Sequence, residues 1–153
     1  MNKKWTTVFA LAVASVTGLA AAQEVKGDAK AAESKIAMCI GCHGIVGYKA
    51  SFPEVYQVPK ISGQNAKYID AALHAYKKGD RKHPTMRAIA DSLTDQDIAD
   101  LAVFYEGHTQ GEAKVGDKAA KVPDAKVAEL LKKGTCASCH GDNFSKSIDP
   151  SYP

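Results

Sequence analysis

The pentapeptide Cys-x-x-Cys-His occurs twice, as Cys39-Ile40-Gly41-Cys42-His43 and Cys136-Ala137-Ser138-Cys139-His140, and a glycine follows each copy. Together the copies use all four cysteines of the 153-residue chain. Any fold must therefore hold each cysteine pair beside its own histidine. The pattern is the attachment signature of c-type haem: the thiols add to the two vinyl groups and the adjacent imidazole meets the iron. Both copies are therefore candidate haem c sites, with Cys39, Cys42, Cys136 and Cys139 as covalent anchors and His43 and His140 as iron ligands.

Other uses of paired cysteines fit the spacing less well. A zinc site made of two Cys-x-x-Cys knuckles normally brackets about 15 to 20 residues, whereas residues 43–135 intervene here. A thioredoxin-like pair needs a strand and helix framework, for which the sequence gives no sign. Structural disulfides suit an exported protein but have no use for the histidines.

Export is indicated by residues 1–22, which read as a signal peptide. Lys3 and Lys4 open it, Val8 to Val16 is nearly all apolar, and Ala20-Ala21-Ala22 is a small-residue cleavage site. No later segment approaches the ~20 apolar residues of a spanning helix, so no membrane span is expected after cleavage. Loss of the two leader lysines lowers the formal charge of +3 by two, which is no nucleic-acid-binding balance. The expected location is the periplasm.

Hydrophobic periodicity gives an all-α reading. Ala29, Ala32 and Ile36 recur at helical spacing before Cys39, as do Val127, Leu130 and Leu131 before Cys136. Both attachment sites are thus expected to follow a helix. Asn65 is a candidate N-cap for a helix with Tyr68, Ile69, Ala72, Leu73 and Tyr76 on its core face. Thr94 is a candidate cap for another, in which Ile98, Leu101, Ala102 and Tyr105 face inward. Residues 79–93, around Pro84, read as a loop, and no stretch alternates like a strand. The expected division is a signal peptide (1–22), a first domain (23–108), a polar linker (109–122) and a partial second domain (123–153).

A sixth iron ligand is usually a methionine sulfur in cytochromes c, and the chain has three methionines. Met1 leaves with the leader. Met38 adjoins Cys39 and is too tightly tied to reach across the ring. Met86 remains, in the expected loop Pro84-Thr85-Met86, with His83 as the rival giving bis-histidine coordination. His74 and His108 read as ordinary helix residues. His43 is expected to donate its second ring nitrogen to a backbone carbonyl of Val58-Pro59.

These residues resemble class I cytochromes c, and in particular the di-haem cytochrome c4 family. The likeness runs from Gly27-Asp28 through the first motif, then Pro59-Lys60-Ile61-Ser62-Gly63-Gln64, Tyr68, Tyr76-Lys77-Lys78-Gly79-Asp80-Arg81, Met86 and Asp97-Ile98-Ala99-Asp100-Leu101-Ala102. It implies the cytochrome c fold, His43 and Met86 as axial ligands, thioethers at Cys39 and Cys42, and periplasmic electron transfer between respiratory partners. Ala32 stands where a small glycine packing on the last helix is expected.

The second unit has no counterpart of the third helix, the methionine segment or the closing helix before Pro153. The expectation is a truncated second domain; the other reading is an open iron position at His140, with Lys146 and Tyr152 as the conceivable local ligands. The expected function is electron transfer through covalent haem, with no catalytic acid, base or nucleophile to name. The expected partners are redox proteins, such as a membrane respiratory complex or terminal oxidase, met through a basic patch of Lys77, Lys78, Arg81, Lys82 and Arg87. The alternatives are a haem subunit of an oxidoreductase complex, or a gas-binding or peroxidatic protein if the second site is open.

Overall fold

The computed structural model describes residues 25–108, 122–142, 144 and 147–152. The expected leader and, but for Val122, the expected linker lie outside them, as does Lys146. The elements in chain order are α1 (Ala29–Ala32), α2 (Ala37–His43), β1 (Lys49–Ala50), β2 (Tyr56–Gln57), α3 (Ala66–Lys78), α4 (Pro84–Asp91), α5 (Asp95–Gly107), α6 (Ala125–Lys133) and α7 (Ala137–His140). Helix dominates, as the periodicity requires. The small exception is an antiparallel ladder pairing Lys49 with Gln57 and Ala50 with Tyr56. Two residues per strand are too few for alternation to show in a sequence.

The capping residues expected from sequence close their helices. Asn65 Oδ1 accepts from Lys67 N at 2.9 Å, and Glu106 Oε1, reaching across from α5, accepts from Ala66 N at 3.0 Å. Thr94 opens α5 with a reciprocal pair: its Oγ1 accepts from Asp97 N at 3.1 Å while Asp97 Oδ2 accepts from Thr94 N at 2.9 Å. At the far end of α3, Gly79 takes a positive φ of 85°, the left-handed stop that glycine adopts without a Cβ clash.

Helix α5 is the spine. It packs against α1 and α3, and α4 packs against α3. Ala32, Ile98, Leu101, Ala102 and Tyr105 are all buried in this core, where each large side chain is worth about 1.5–3 kcal/mol of burial. The close approach to the last helix occurs at Gly27, where an added Cβ would sit 2.2 Å from the Ala99 carbonyl oxygen. Ala32, fully buried, fits where a glycine was expected. Buried Asp100 ties the same junction, its Oδ1 accepting from Asp28 N and from Gln96 Nε2, both at 2.7 Å.

Two sequence expectations need correction. Residues 84–91 are not loop but helix α4, with Pro84 in its first turn and His83 as its N-cap. Proline there both presets φ and lacks an N–H that would be unpaired anyway, so the feature read as a breaker is a start. The helix expected ahead of the first motif is α1, but it stops at Ala32, short of Ile36, and the motif itself is carried in a second helix. Residues 33–36 form a tightened turn, with bonds such as Cys39 N to Ile36 O at 2.9 Å, before α2 takes Cys39 through His43.

Candidate haem site

Cys39, His43 and Met86 line one cleft of about 210 Å3. Cys42 lies one turn on from Cys39 along α2, half-buried. The opposite wall is the face of α3 bearing Tyr68, Ile69, Ala72, Leu73 and Tyr76, and Leu101 and Tyr105 of α5 form the floor. The α3 face was expected to be core, yet of these five only Ile69 is buried. The others are half-buried and line the cleft, Leu73 packing against the core cluster as well.

The orientation of His43 is set from outside its helix. Its Nδ1 lies 2.7 Å from the Pro59 carbonyl oxygen, within the segment expected to supply an acceptor. A carbonyl can only accept, so Nδ1 carries the proton and donates. Nε2 is left with its lone pair, the form in which imidazole ligates a metal. His83 takes a different part from the ligand role weighed for it: its Nδ1 accepts from the Met86 N–H at 3.3 Å, and its side chain is not among those lining the cleft. Pro84 at the first helical position is compatible with a helix start, but histidine is not among the usual caps, so the sequence carries no clear signal for this one. His74 bridges Asp70 and Asp95 at 3.3 and 3.5 Å, and His108 stacks on Phe104 at 4.9 Å. Both are structural placements.

Tyr56 and Arg81 also face the cleft, neither distinguished for it by any sequence pattern. Arg81 Nη1 donates to Tyr68 OH at 3.0 Å and its guanidinium lies 5.0 Å from the centre of the Tyr76 ring. The Tyr68 hydrogen bond, first among the causes, raises the Arg81 pKa further. Burial raises the Cys39 thiol, which keeps it protonated. The Tyr105 hydroxyl beside it is buried with no partner in hydrogen-bond geometry, and desolvation pushes its pKa up. Within the expected basic patch, Lys77 Nζ is committed to the Leu93 carbonyl at 2.6 Å, and Arg87 approaches Asp91 at 3.9 Å. Lys78 and Lys82 are exposed.

The second motif has different surroundings. Cys136 is the N-cap of the single-turn helix α7, Cys139 is exposed, and the His140 ring lies 6.3 Å from that of Phe144. The hollow nearby is lined by Val122, Ala128, Leu131 and Phe144, among others, but by none of Cys136, Cys139 and His140. No methionine lies in residues 122–152.

Residues 29–106 match the family model for cytochrome c. The chain is 40% identical over 82 residues to cytochrome c-554(548) of Halomonas halodenitrificans, which covers 52% of this chain and 94% of that one. It is 32% identical to cytochrome c4 of Azotobacter vinelandii, an alignment that takes in 100% of this chain and 74% of its relative. The chain belongs to the cytochrome c family. Relatives that align across both motifs include cytochromes c4. The solved structure of Acidithiobacillus ferrooxidans cytochrome c4 superposes with a TM-score of 0.51 at 24% identity, covering 73% of this chain and 69% of that one, and shows the common fold.

Family membership brings covalent haem c, its iron and electron transfer to this cytochrome. The first cleft fits that group on its own evidence. It is walled mostly by apolar and aromatic side chains, it presents a free thiol at Cys39, and it receives an imidazole with its proton already on the far nitrogen. Among the described residues, no helix is long and apolar enough to cross a membrane.

Proposed function

We propose that His43 and Met86 are the axial ligands of a first haem held by thioethers at Cys39 and Cys42. On the same reading, Cys136, Cys139 and His140 hold a second haem. The protein carries electrons in the periplasm between redox protein partners, such as a membrane respiratory complex or terminal oxidase, and is not itself an enzyme. Residues 1–22 are its signal peptide, 23–108 its first cytochrome c domain, 109–122 a linker and 123–153 part of a second domain. The observation that carries this reading is the convergence of Cys39, His43 and Met86 on one cleft, with His43 Nδ1 already committed to Pro59.

When bound, the haem supplies a reversible one-electron couple. The chain supplies the setting. The Pro59 carbonyl holds the His43 proton on Nδ1 and leaves Nε2 free to ligate, and Cys39 and Cys42 would anchor the group covalently to α2. The apolar side chains of α3 and α5 that line the cleft would shield the group from water and give it a low-dielectric setting. With Met86 and His43 holding the iron, the methionine sulfur would raise the reduction potential relative to harder donors.

The test is Met86→Ala in the mature protein. The methionine-to-iron charge-transfer absorption is expected to disappear while covalent haem, counted by mass spectrometry, stays unchanged. An unaltered band would defeat the ligand assignment.

A further inference from the structure

We propose that His83 is a positioning residue for Met86, its imidazole fixing the main chain from which the sulfur reaches into the cleft. The inference rests on the reading of Met86 as an axial ligand. The chain at His83 is extended, with φ −161° and ψ 114°, and turns into α4 at Pro84. Proline has no N–H, so the first turn offers Thr85 and Met86 as its free donors. His83 Nδ1 takes the one on Met86, at 3.3 Å. The His83 carbonyl then accepts from Arg87 N at 2.9 Å. Met86 is thus bracketed by two bonds to the same residue.

Capping alone does not account for a histidine at this place. Asn, Asp, Ser and Thr are the preferred N-caps, and each would satisfy the Met86 N–H at less expense. Because Nδ1 accepts, the neutral ring carries its proton on Nε2, and that atom is buried with no hydrogen-bond partner, which is destabilising. What the imidazole adds is reach. Its ring packs tilted against Tyr56, with centroids 5.3 Å apart and planes at 57°. Tyr56 belongs to β2 and lines the cleft. One side chain therefore joins the wall that follows the attachment motif to the turn that carries the methionine.

The experiment uses the full chain with Cys136 and Cys139 both changed to Ala, so that only the first haem attaches. Carbon monoxide binding to the reduced protein reports how readily Met86 leaves, and the charge-transfer band of the oxidised protein reports how well it is held. His83→Ala should bind carbon monoxide roughly fivefold faster or more, the factor that loss of one cap implies, with a weakened band. His83→Asn, which restores an acceptor at the N-cap, should recover much of the parent's slow rate. If His83→Ala does not mature, His83→Leu supplies the same comparison, being of similar bulk without an acceptor. Parent-like binding and band in His83→Ala would overturn the proposal, even with a lowered melting temperature, since that is a purely structural cap. His83→Asn as fast as His83→Ala would also overturn it. Failure of the underlying reading appears separately, as a Met86→Ala variant with the parent's rate and band, and takes this proposal with it.

Discussion

At residues 39–43 the attachment motif lies along a helix whose neighbours come from far along the chain: an acceptor at Pro59, a facing wall on α3, a floor on α5 and a methionine on α4. At residues 136–140 the same pattern of side chains occupies a single helical turn. The preceding helix α6 leaves Leu130 59% and Val127 42% exposed. Among the described residues, no packed helix pair comparable to α1 with α5 or α3 with α5 involves α6 or α7. The contrast separates two things that one motif is easily taken to supply together. Covalent attachment is local, needing two thiols and an imidazole at fixed spacing. Enclosure is distributed, and among the described residues it comes from 25–108.

The sharpest way to break that contrast is to remove each anchor pair in turn. Changing Cys39 and Cys42 together to Ala empties the cleft that Tyr68, Leu73, Tyr76 and Leu101 line. The loss should exceed the ~5–15 kcal/mol that holds an ordinary domain together, so far-UV circular dichroism should show no cooperative melt for the first region. Changing Cys136 and Cys139 to Ala should leave that melt within about 0.5 kcal/mol of the parent. Equal losses from the two pairs would mean that the second motif also helps to build the first core.

A smaller effect probes the protein walls. Leu101 is 1% exposed and Leu130 is 59% exposed, although both occupy apolar positions of amphipathic helices. Leu101→Ala should cost about 2–5 kcal/mol in a denaturant melt through the cavity it leaves, and Leu130→Ala no more than about 0.5 kcal/mol. A comparable cost at Leu130 would show that the apolar face of α6 is covered in solution.

What could be read in advance follows the same division. The caps at Asn65 and Thr94, the apolar side of α3 and the inward face of α5 are set by short-range spacing, and these were legible. The acceptor for His43 was also legible, because the imidazole needs one and Pro59 carries a carbonyl at a suitable remove. Helix α4 was hidden because Pro84 signals a break or a start equally well, and only the His83 bond to Met86 N distinguishes them. Tyr56 and Arg81 were missed as cleft residues because their positions depend on the hairpin ladder and on Tyr68, contacts that leave no period in the sequence. The half-burial of the α3 face was misjudged for a related reason: periodicity reports an apolar side, not whether protein or cofactor covers it.

The finest test compares two caps. Thr94 and Asp97 bond reciprocally at the start of α5, and Asp97 is itself buried and paired with Lys35. Asp124 makes the corresponding bond on α6, its Oδ1 accepting from Val127 N at 2.9 Å on an exposed surface. Removing either acceptor forfeits a cap worth about 0.5–2 kcal/mol to its own helix. Thr94→Ala should pass that cost to the whole first region, because α5 touches α1 and α3 and cannot fray without uncovering Ile98 and Leu101. A helix of nine residues such as α6 is marginal on its own. Asp124→Ala should therefore lower protection from amide hydrogen exchange at residues 125–133 and leave the global melt unchanged. If Asp124→Ala instead shifts the melt as far as Thr94→Ala does, α6 is part of the same cooperative unit, and its exposed leucine and valine are partnered in the folded protein.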